Sequence, residues 1–174
     1  MNESYSQEMQ EHLEPIIDNI EKEVILIGSD HRGFDLKVLL REHLIKANYD
    51  VMDVGTHNNE RCDYPNVAKS LVKNLMSDED VNSNKGILIC GSGFGMSITA
   101  NRMKGIHAVT PRTVEECRTA REHGNVNVLC IGSDFTSDVE AVKIVDTFLN
   151  TGYEELETSR YSQRIKMIDD NEDE

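Results

Sequence analysis

The residues of this chain whose types and spacing could do chemistry are a cysteine at the mouth of a glycine-rich loop, an Asp-His pair, and scattered basic groups. Cys90 ends the apolar run Gly86-Ile87-Leu88-Ile89-Cys90 and opens onto Gly91-Ser92-Gly93-Phe94-Gly95. A thiol at the end of a strand, facing the start of a helix, can be stabilised as the thiolate and serve as a base or nucleophile. The same position also suits a thiol packed as a small hydrophobe. The loop itself offers backbone N–H groups to an oxyanion or a phosphate. Its glycines superficially match a dinucleotide fingerprint, but that motif follows a first strand and is trailed by an acid about 20 residues on. Here the loop follows the third strand, which argues against NAD.

Asp30-His31, in Ser29-Asp30-His31-Arg32-Gly33, suits acid/base work or phosphate binding, since histidine titrates near neutrality. His123 precedes Gly124 at the end of a helical pattern, where it reads equally well as a C-terminal cap. Arg160 and Arg164, four apart, share a face if the tail is helical, and such a pair fits a phosphate or simply a solvated surface. Cys62, Cys117 and Cys130 read as a loop, a helix and a strand residue without chemistry. No Cys-x-x-Cys or Cys/His ligand spacing occurs, so neither disulfides nor a metal site is expected.

Strand-like and helix-like segments alternate around these residues. Val24–Ile27 reads as a first strand and Leu36, Leu39, Leu40 and Leu44 as the inner stripe of a helix. Val51–Val54 is a second strand, and Pro65 opens a helix with Val67, Leu71, Val72 and Leu75 inside. The polar, acidic stretch from Ser77 to Lys85 reads as a solvated loop. Gly86–Cys90 is a short unbroken apolar run, the mark of a strand covered on both faces. Helix Met96–Met103, strand Ile106–Thr110, helix Thr113–His123, strand Val126–Ile131 and helix Ser137–Leu149 follow. Repeated βα units imply right-handed crossovers and a parallel sheet. The expected fold is a single-domain α/β/α three-layer sandwich on a five-stranded, Rossmann-like parallel sheet. Ligands of such sheets bind beyond the carboxyl ends of the strands, where strand order reverses. Uniting the loops after strands one and three in one site requires those strands to be neighbours.

The chain has 174 residues, 18 Lys+Arg against 32 Asp+Glu, and a net charge of −14. That balance opposes binding to nucleic-acid backbones or anionic membranes. No run approaches the roughly 20 apolar residues of a membrane span. The first 23 residues lack the basic and apolar regions of a secretory signal, so a cytoplasmic location is expected. Residues 1–23 carry −6 and residues 169–174 carry −5, which leaves −3 for everything between. The domain itself therefore has room for local positive sites.

Taken in order, the motifs resemble the type B ribose-5-phosphate isomerases, within the sugar-phosphate isomerase family that includes galactose-6-phosphate isomerase. The matching segments are Gly28-Ser29-Asp30-His31-x-Gly33-Phe34-x-Leu36-Lys37, Asp53-x-Gly55-Thr56, Asp63-Tyr64-Pro65, Gly86 through Ile98, Ala100-Asn101, Ala120-Arg121-Glu122-His123 and Asn127-Val128-Leu129. The resemblance runs from about Val24 to Arg164. With the charge distribution, the expected organisation is an acidic extension at 1–23, an isomerase domain at 24–152 and a tail at 153–174 that packs on a partner subunit or frays, with a disordered acidic end. The resemblance implies aldose–ketose isomerisation through an enediolate, without metal or organic cofactor, in the pentose phosphate pathway. Carried over, Cys90 is the proton-shuttling base and Ser92 handles a hydroxyl proton. The amides of Gly91, Ser92, Gly93 and Gly95 stabilise the enediolate. His123, assisted by Asp30, opens the sugar ring. Tyr64 lines the sugar, while His31, Arg160 and Arg164 hold the phosphate. One branch of the family uses a Glu as base where this chain has Met96, which puts the chain on the cysteine branch.

The tail arginines are implied to cross a dimer interface, so a homodimer, or a tetramer built from it, is expected. Three positions depart from the family pattern. Asp134 stands where a phosphate-binding Arg is expected, Gly124 where Asn follows the ring-opening His, and Tyr161 where His follows Arg160. Arg112 could compensate for Asp134 or be a surface residue. The alternatives are a six-carbon sugar phosphate (allose or galactose 6-phosphate) as substrate, or a phosphosugar-binding regulator without turnover.

Overall fold

The structure is a computed structural model, and residues 23–77, 84–153 and 159–170 are described. The acidic extension, most of the 77–85 loop and the acidic end lie largely outside those residues. Five parallel strands form one sheet: β1 (Val24–Ser29), β2 (Asp50–Asp53), β3 (Lys85–Cys90), β4 (Ala108–Val109) and β5 (Val128–Gly132), in the order β2-β1-β3-β5-β4. Between them run α1 (Phe34–Lys46), α2 (Tyr64–Leu75), α3 (Phe94–Ala100) and α4 (Val114–Gly124); α5 (Asp138–Asn150) and α6 (Arg160–Asp170) follow.

Alternate residues of each strand enter two cores, as a sheet covered on both faces requires. Ile25, Ile27, Ile87, Ile89, Leu129 and Ile131 pack with Leu40 and Leu44 of α1, Cys117 of α4 and Ile144 and Phe148 of α5. Leu26, Leu88, Cys90, Val128 and Cys130 pack with Leu71 and Leu75 of α2 and Met96 and Ala100 of α3. The three layers are those expected from the sequence. Strands β1 and β3 are neighbours, with Ile27 opposite Ile87 and Ser29 opposite Ile89, so the crevice forms where the two loops were expected to converge. The helical stripes are also where the apolar spacing puts them.

The largest differences from the sequence reading are at β4 and α3. The apolar run Ile106–Thr110 yields a strand of only two residues, because asparagine side chains take the place of strand neighbours. Asn101 accepts from the Ala108 N–H at 2.8 Å and donates to its carbonyl at 2.7 Å, covering the free edge. Asn127 accepts from the His107 N–H at 2.9 Å through its own side chain, which interrupts the ladder one residue earlier. Helix α3 begins at Phe94 and has seven residues; it supplies free N–H groups more than a long dipole.

A buried ion pair fixes the β2 side. Lys37 of α1 is 1% exposed, and its Nζ donates to both Asp53 carboxylate oxygens at 2.7 and 2.8 Å and to the Thr56 carbonyl at 2.6 Å. The Leu36-Lys37 and Asp53-x-Gly55-Thr56 motifs therefore meet as one structural clamp.

Candidate active site

The carboxyl ends of the three central strands build the site. Loops leaving β1 and β5 are laced to the end of β3: the Asp30 N–H donates to the Ile89 carbonyl, the Ser133 N–H to that of Cys90, and the Asp134 N–H to that of Gly91. A cavity of about 300 Å3 results. Asp30 and Arg32 line it from the β1 loop, Cys90, Gly91, Ser92 and Gly95 from the β3 loop and α3, Tyr64 from α2, and Asp134 from the β5 loop.

Cys90 is 4% exposed at the end of β3. Its Sγ accepts the Gly93 N–H at 3.1 Å, a contact that holds the sulfur in place. Gly93 sits at φ +79, and a β-carbon there would come within 2.5 Å of Thr110 Cγ2 and 3.2 Å of the Gly132 nitrogen, so the position favours glycine. Ser92 Oγ accepts the Phe94 N–H at 3.4 Å. The hydroxyl end of the Tyr64 ring lies against Gly95, where an added β-carbon would stand 2.6 Å from its Cε2 and Cζ. Asp30 is 5% exposed; one of its oxygens accepts the Arg32 and Gly33 N–H groups at 2.9 and 3.1 Å. His31 does not line the cavity; its Nδ1 accepts the Cys62 N–H at 3.4 Å.

The other cysteines differ chemically from a working base. Burial pushes the Cys117 thiol up from its usual 9.0 to about 11. Burial also raises that of Cys130, with the nearby Cys90 adding to the effect. Cys117 donates to the Ile144 carbonyl at 3.5 Å, as a core residue.

His123, Arg160 and Arg164 are elsewhere in the chain. Helix α4 runs antiparallel to the strands, so His123 on its last turn lies at the amino edge of the sheet, just before β5 begins. The five residues of β5 alone span about 13 Å between that edge and the Cys90 end. His123 stacks on Tyr161 of α6, ring centroids 3.9 Å apart and planes 8° apart. It borders a second, mainly apolar cavity of about 550 Å3 beside the free edge of β4. Helix α6 confirms the helical tail and packs on α4 of its own chain, with Asp169 bonded to His107 at 2.9 Å. Arg160 is exposed and donates to the Tyr161 hydroxyl at 2.9 Å, which raises its pKa; Arg164 is exposed as well.

Two residues went unassigned in the sequence. Arg32 Nη2 and Asp134 Oδ2 are 2.5 Å apart at the cavity rim, across 102 residues of chain. Asp134 holds the guanidinium firmly protonated, raising its pKa by hydrogen bonding and charge. The signals in the sequence were that both follow closely on strand ends and that Asp134 stands where the family pattern has an Arg. Arg112 does not line the cavity; its guanidinium lies between the Phe94 and Phe135 rings, 5.6 and 5.3 Å from their centroids. Among the described residues no group of three or more His, Cys, Asp or Glu side chains could hold a metal ion, and no helix is long and apolar enough to cross a membrane.

A buried thiol held by a loop amide, in a polar cleft at the switch point of a parallel sheet, defines an α/β enzyme site suited to proton transfer or nucleophilic attack. The chain belongs to the Ribose/Galactose Isomerase family, which it matches over residues 25–168. It is 40% identical to the probable ribose-5-phosphate isomerase B of Mycoplasma genitalium over 149 residues, 83% of this chain and 92% of that one. Ribose-5-phosphate isomerase B of Clostridium thermocellum superposes with a TM-score of 0.80 at 37% identity, covering 86% of this chain and 97% of the other. The Mycoplasma genitalium enzyme with bound ribulose-5-phosphate superposes with a TM-score of 0.80 at 38% identity, over 87% and 97%.

Proposed function

We propose that the chain interconverts ribose 5-phosphate and ribulose 5-phosphate as an enzyme of the non-oxidative pentose phosphate pathway. The observation that carries this reading is the Cys90 thiol, 4% exposed and bonded to the Gly93 amide, at the floor of an amide-rimmed cavity. Cys90 takes the C2 proton of the open-chain aldose and returns it to C1. The electron pair released at C2 forms the enediolate double bond, and the negative charge moves to O1. Ser92 relays the hydroxyl proton between O2 and O1, and backbone N–H groups at Gly91, Ser92 and Gly95 stabilise the oxyanion, while that of Gly93 holds the Cys90 sulfur. Stabilisation of that kind is usually the largest catalytic contribution. Tyr64 forms a wall for the sugar.

Ring opening and much of the phosphate grip come from a second copy of the chain. His123 and the tail arginines sit at the opposite sheet edge from Cys90, so a homodimer that brings one chain's His123 to the other's Asp30 supports a complete site. Asp30 still has one carboxylate oxygen free of the two amide bonds. His31, beside the cavity, joins the partner's arginines at the phosphate.

The test is a coupled assay on the purified full chain with ribose 5-phosphate and allose 6-phosphate. Turnover of the five-carbon sugar at least tenfold more efficient is the expected result. Preference for the six-carbon sugar replaces the substrate, and turnover of neither favours a binding protein without catalysis.

A further inference from the structure

Asp134 is an awkward residue for a phosphate site. A carboxylate at the rim repels a phosphate dianion, and Asp30 adds a second negative charge to the same cavity. Arg32 is the one cationic side chain among the described residues that line the cavity, and Asp134 is bonded to it at 2.5 Å. The guanidinium lies directly over the glycine loop: a β-carbon on Gly91 would come within 2.5 Å of Arg32 Nε and 2.9 Å of Asp134 Oδ2. Gly91 thus leaves the space in which the pair rests, one residue from Cys90.

Three further contacts hold this arrangement. The Ser133 hydroxyl donates to the Arg32 carbonyl at 3.1 Å, and the Arg32 N–H donates to Asp30 at 2.9 Å. The Asp134 N–H donates to the Gly91 carbonyl at 2.9 Å. Both backbones are anchored while the Arg32 side chain stays 57% exposed. A guanidinium has five N–H donors in a rigid fork, and Asp134 engages one nitrogen of it. With the side chain more than half exposed, the guanidinium keeps donor capacity beyond the Asp134 bond.

We propose that Arg32 is an anion ligand of this site, supplied by the same chain as Cys90, and that Asp134 is the positioning carboxylate that holds it over the Gly91 loop. The ligand is the phosphate monoester of the substrate, and the proposal rests on the isomerase reading only for that ligand's sugar. With Arg32 the cavity lining carries one net negative charge; without it two, and a dianion would be repelled. The pair also accounts for Asp134 itself: the loop after β5 contributes through the arginine it holds on the loop after β1.

Binding of inorganic phosphate to the full-length protein, measured by calorimetry, tests this independently of turnover, with KM and kcat measured alongside. Arg32→Ala is expected to weaken phosphate binding and raise KM by roughly 10- to 100-fold, the loss of a charged hydrogen bond, with kcat changed less than threefold. Asp134→Ala should weaken phosphate binding less than fivefold, because the cation remains. The exchange Arg32→Asp with Asp134→Arg should bind phosphate at least fivefold better than Arg32→Ala, since it rebuilds the pair with the cation on the other loop. The proposal is overturned if Arg32→Ala leaves phosphate affinity and KM within twofold. Equal losses from Arg32→Ala and Asp134→Ala also overturn it, because the pair then acts only as a structural tie. A wild-type protein that binds phosphate yet turns over no sugar phosphate refutes the isomerase reading, and the phosphate titrations still decide the role of Arg32.

Discussion

Replacing Cys90 by alanine separates chemistry from fold. The side chain is 4% exposed and makes one hydrogen bond, from the Gly93 amide at 3.1 Å. Losing a buried sulfur costs about 1 kcal/mol in packing, and losing a weak N–H acceptor adds about 0.5 kcal/mol. For a domain of this size that lowers Tm by about 3–6 °C, which leaves the protein folded at assay temperature. A positioned base contributes about 10²- to 10⁴-fold in rate, or about 3–5 kcal/mol of barrier. kcat should therefore fall by that factor while KM and phosphate affinity stay within threefold, because no phosphate-binding group is touched. Cys90→Ser should resemble Cys90→Ala, since a hydroxyl is far less acidic than a thiol. The assay is turnover in deuterated water with product analysed for label at C1: wild type incorporates deuterium to the extent that the Cys90 thiol exchanges with solvent before returning its proton, and the variants should not. A Cys90→Ala protein that keeps kcat within tenfold of wild type and still exchanges label would refute the role of the thiol.

A shared site has a complementation signature. Cys90→Ala and His123→Ala should each be nearly inactive alone, yet after unfolding and refolding together should regain about a quarter of wild-type activity, because a mixed dimer carries one intact site; no regain places both residues in one chain's site. Lys37→Met removes the ammonium from the Asp53 carboxylate, which keeps the Gly55 N–H, and from the Thr56 carbonyl. Breaking a buried pair from one side costs about 3–5 kcal/mol, reduced to about 2–4 here because Asp53 is 23% exposed. Urea denaturation should show that loss, and a loss below 1 kcal/mol would contradict the clamp. Cys117, raised from 9.0 to about 11 when folded, favours its neutral form in the native state. Its stabilising contribution is complete below pH 9 and disappears as pH rises towards 11, where unfolded chains ionise first. Stability measured at pH 8 and pH 11 should fall by about 2–3 kcal/mol from this group. Cys117→Ala should show a correspondingly smaller alkaline loss, and equal losses in both proteins would exclude the thiol as the cause.

The architecture was legible because burial on two faces leaves a distinct pattern. Ile87-Leu88-Ile89 sends its first and third side chains into one core and its second into the other, so the run has to be apolar throughout. Edge strand β4 was over-read for the opposite reason. Its partners include the side chains of Asn101 and Asn127, and hydrophobic periodicity carries no signal for a side chain acting as a strand. The same blindness hides what several motifs do. Lys37 and Asp53 are segments of a family pattern in the sequence, yet in the fold they neutralise each other beneath α1. Chemistry and clamp cannot be separated until partners are known.

Site residues are harder to read than elements because proximity follows strand order, which the sequence leaves open. Once β1 and β5 flank β3, whatever follows Ser29 and Gly132 must converge on Cys90, and Arg32 meets Asp134 across 102 positions. Taken alone, Asp134 looks like the loss of a phosphate ligand; beside Arg32 it is half of an ion pair that keeps a cation over the loop. The same topology assigns His123 to the far edge, since a helix between parallel strands must return its last turn to their amino ends. Residues after strand ends belong to this chain's own cleft. Residues on the last turns of the returning helices can reach a cleft only in another copy, and that division makes association of two chains part of the proposed catalysis.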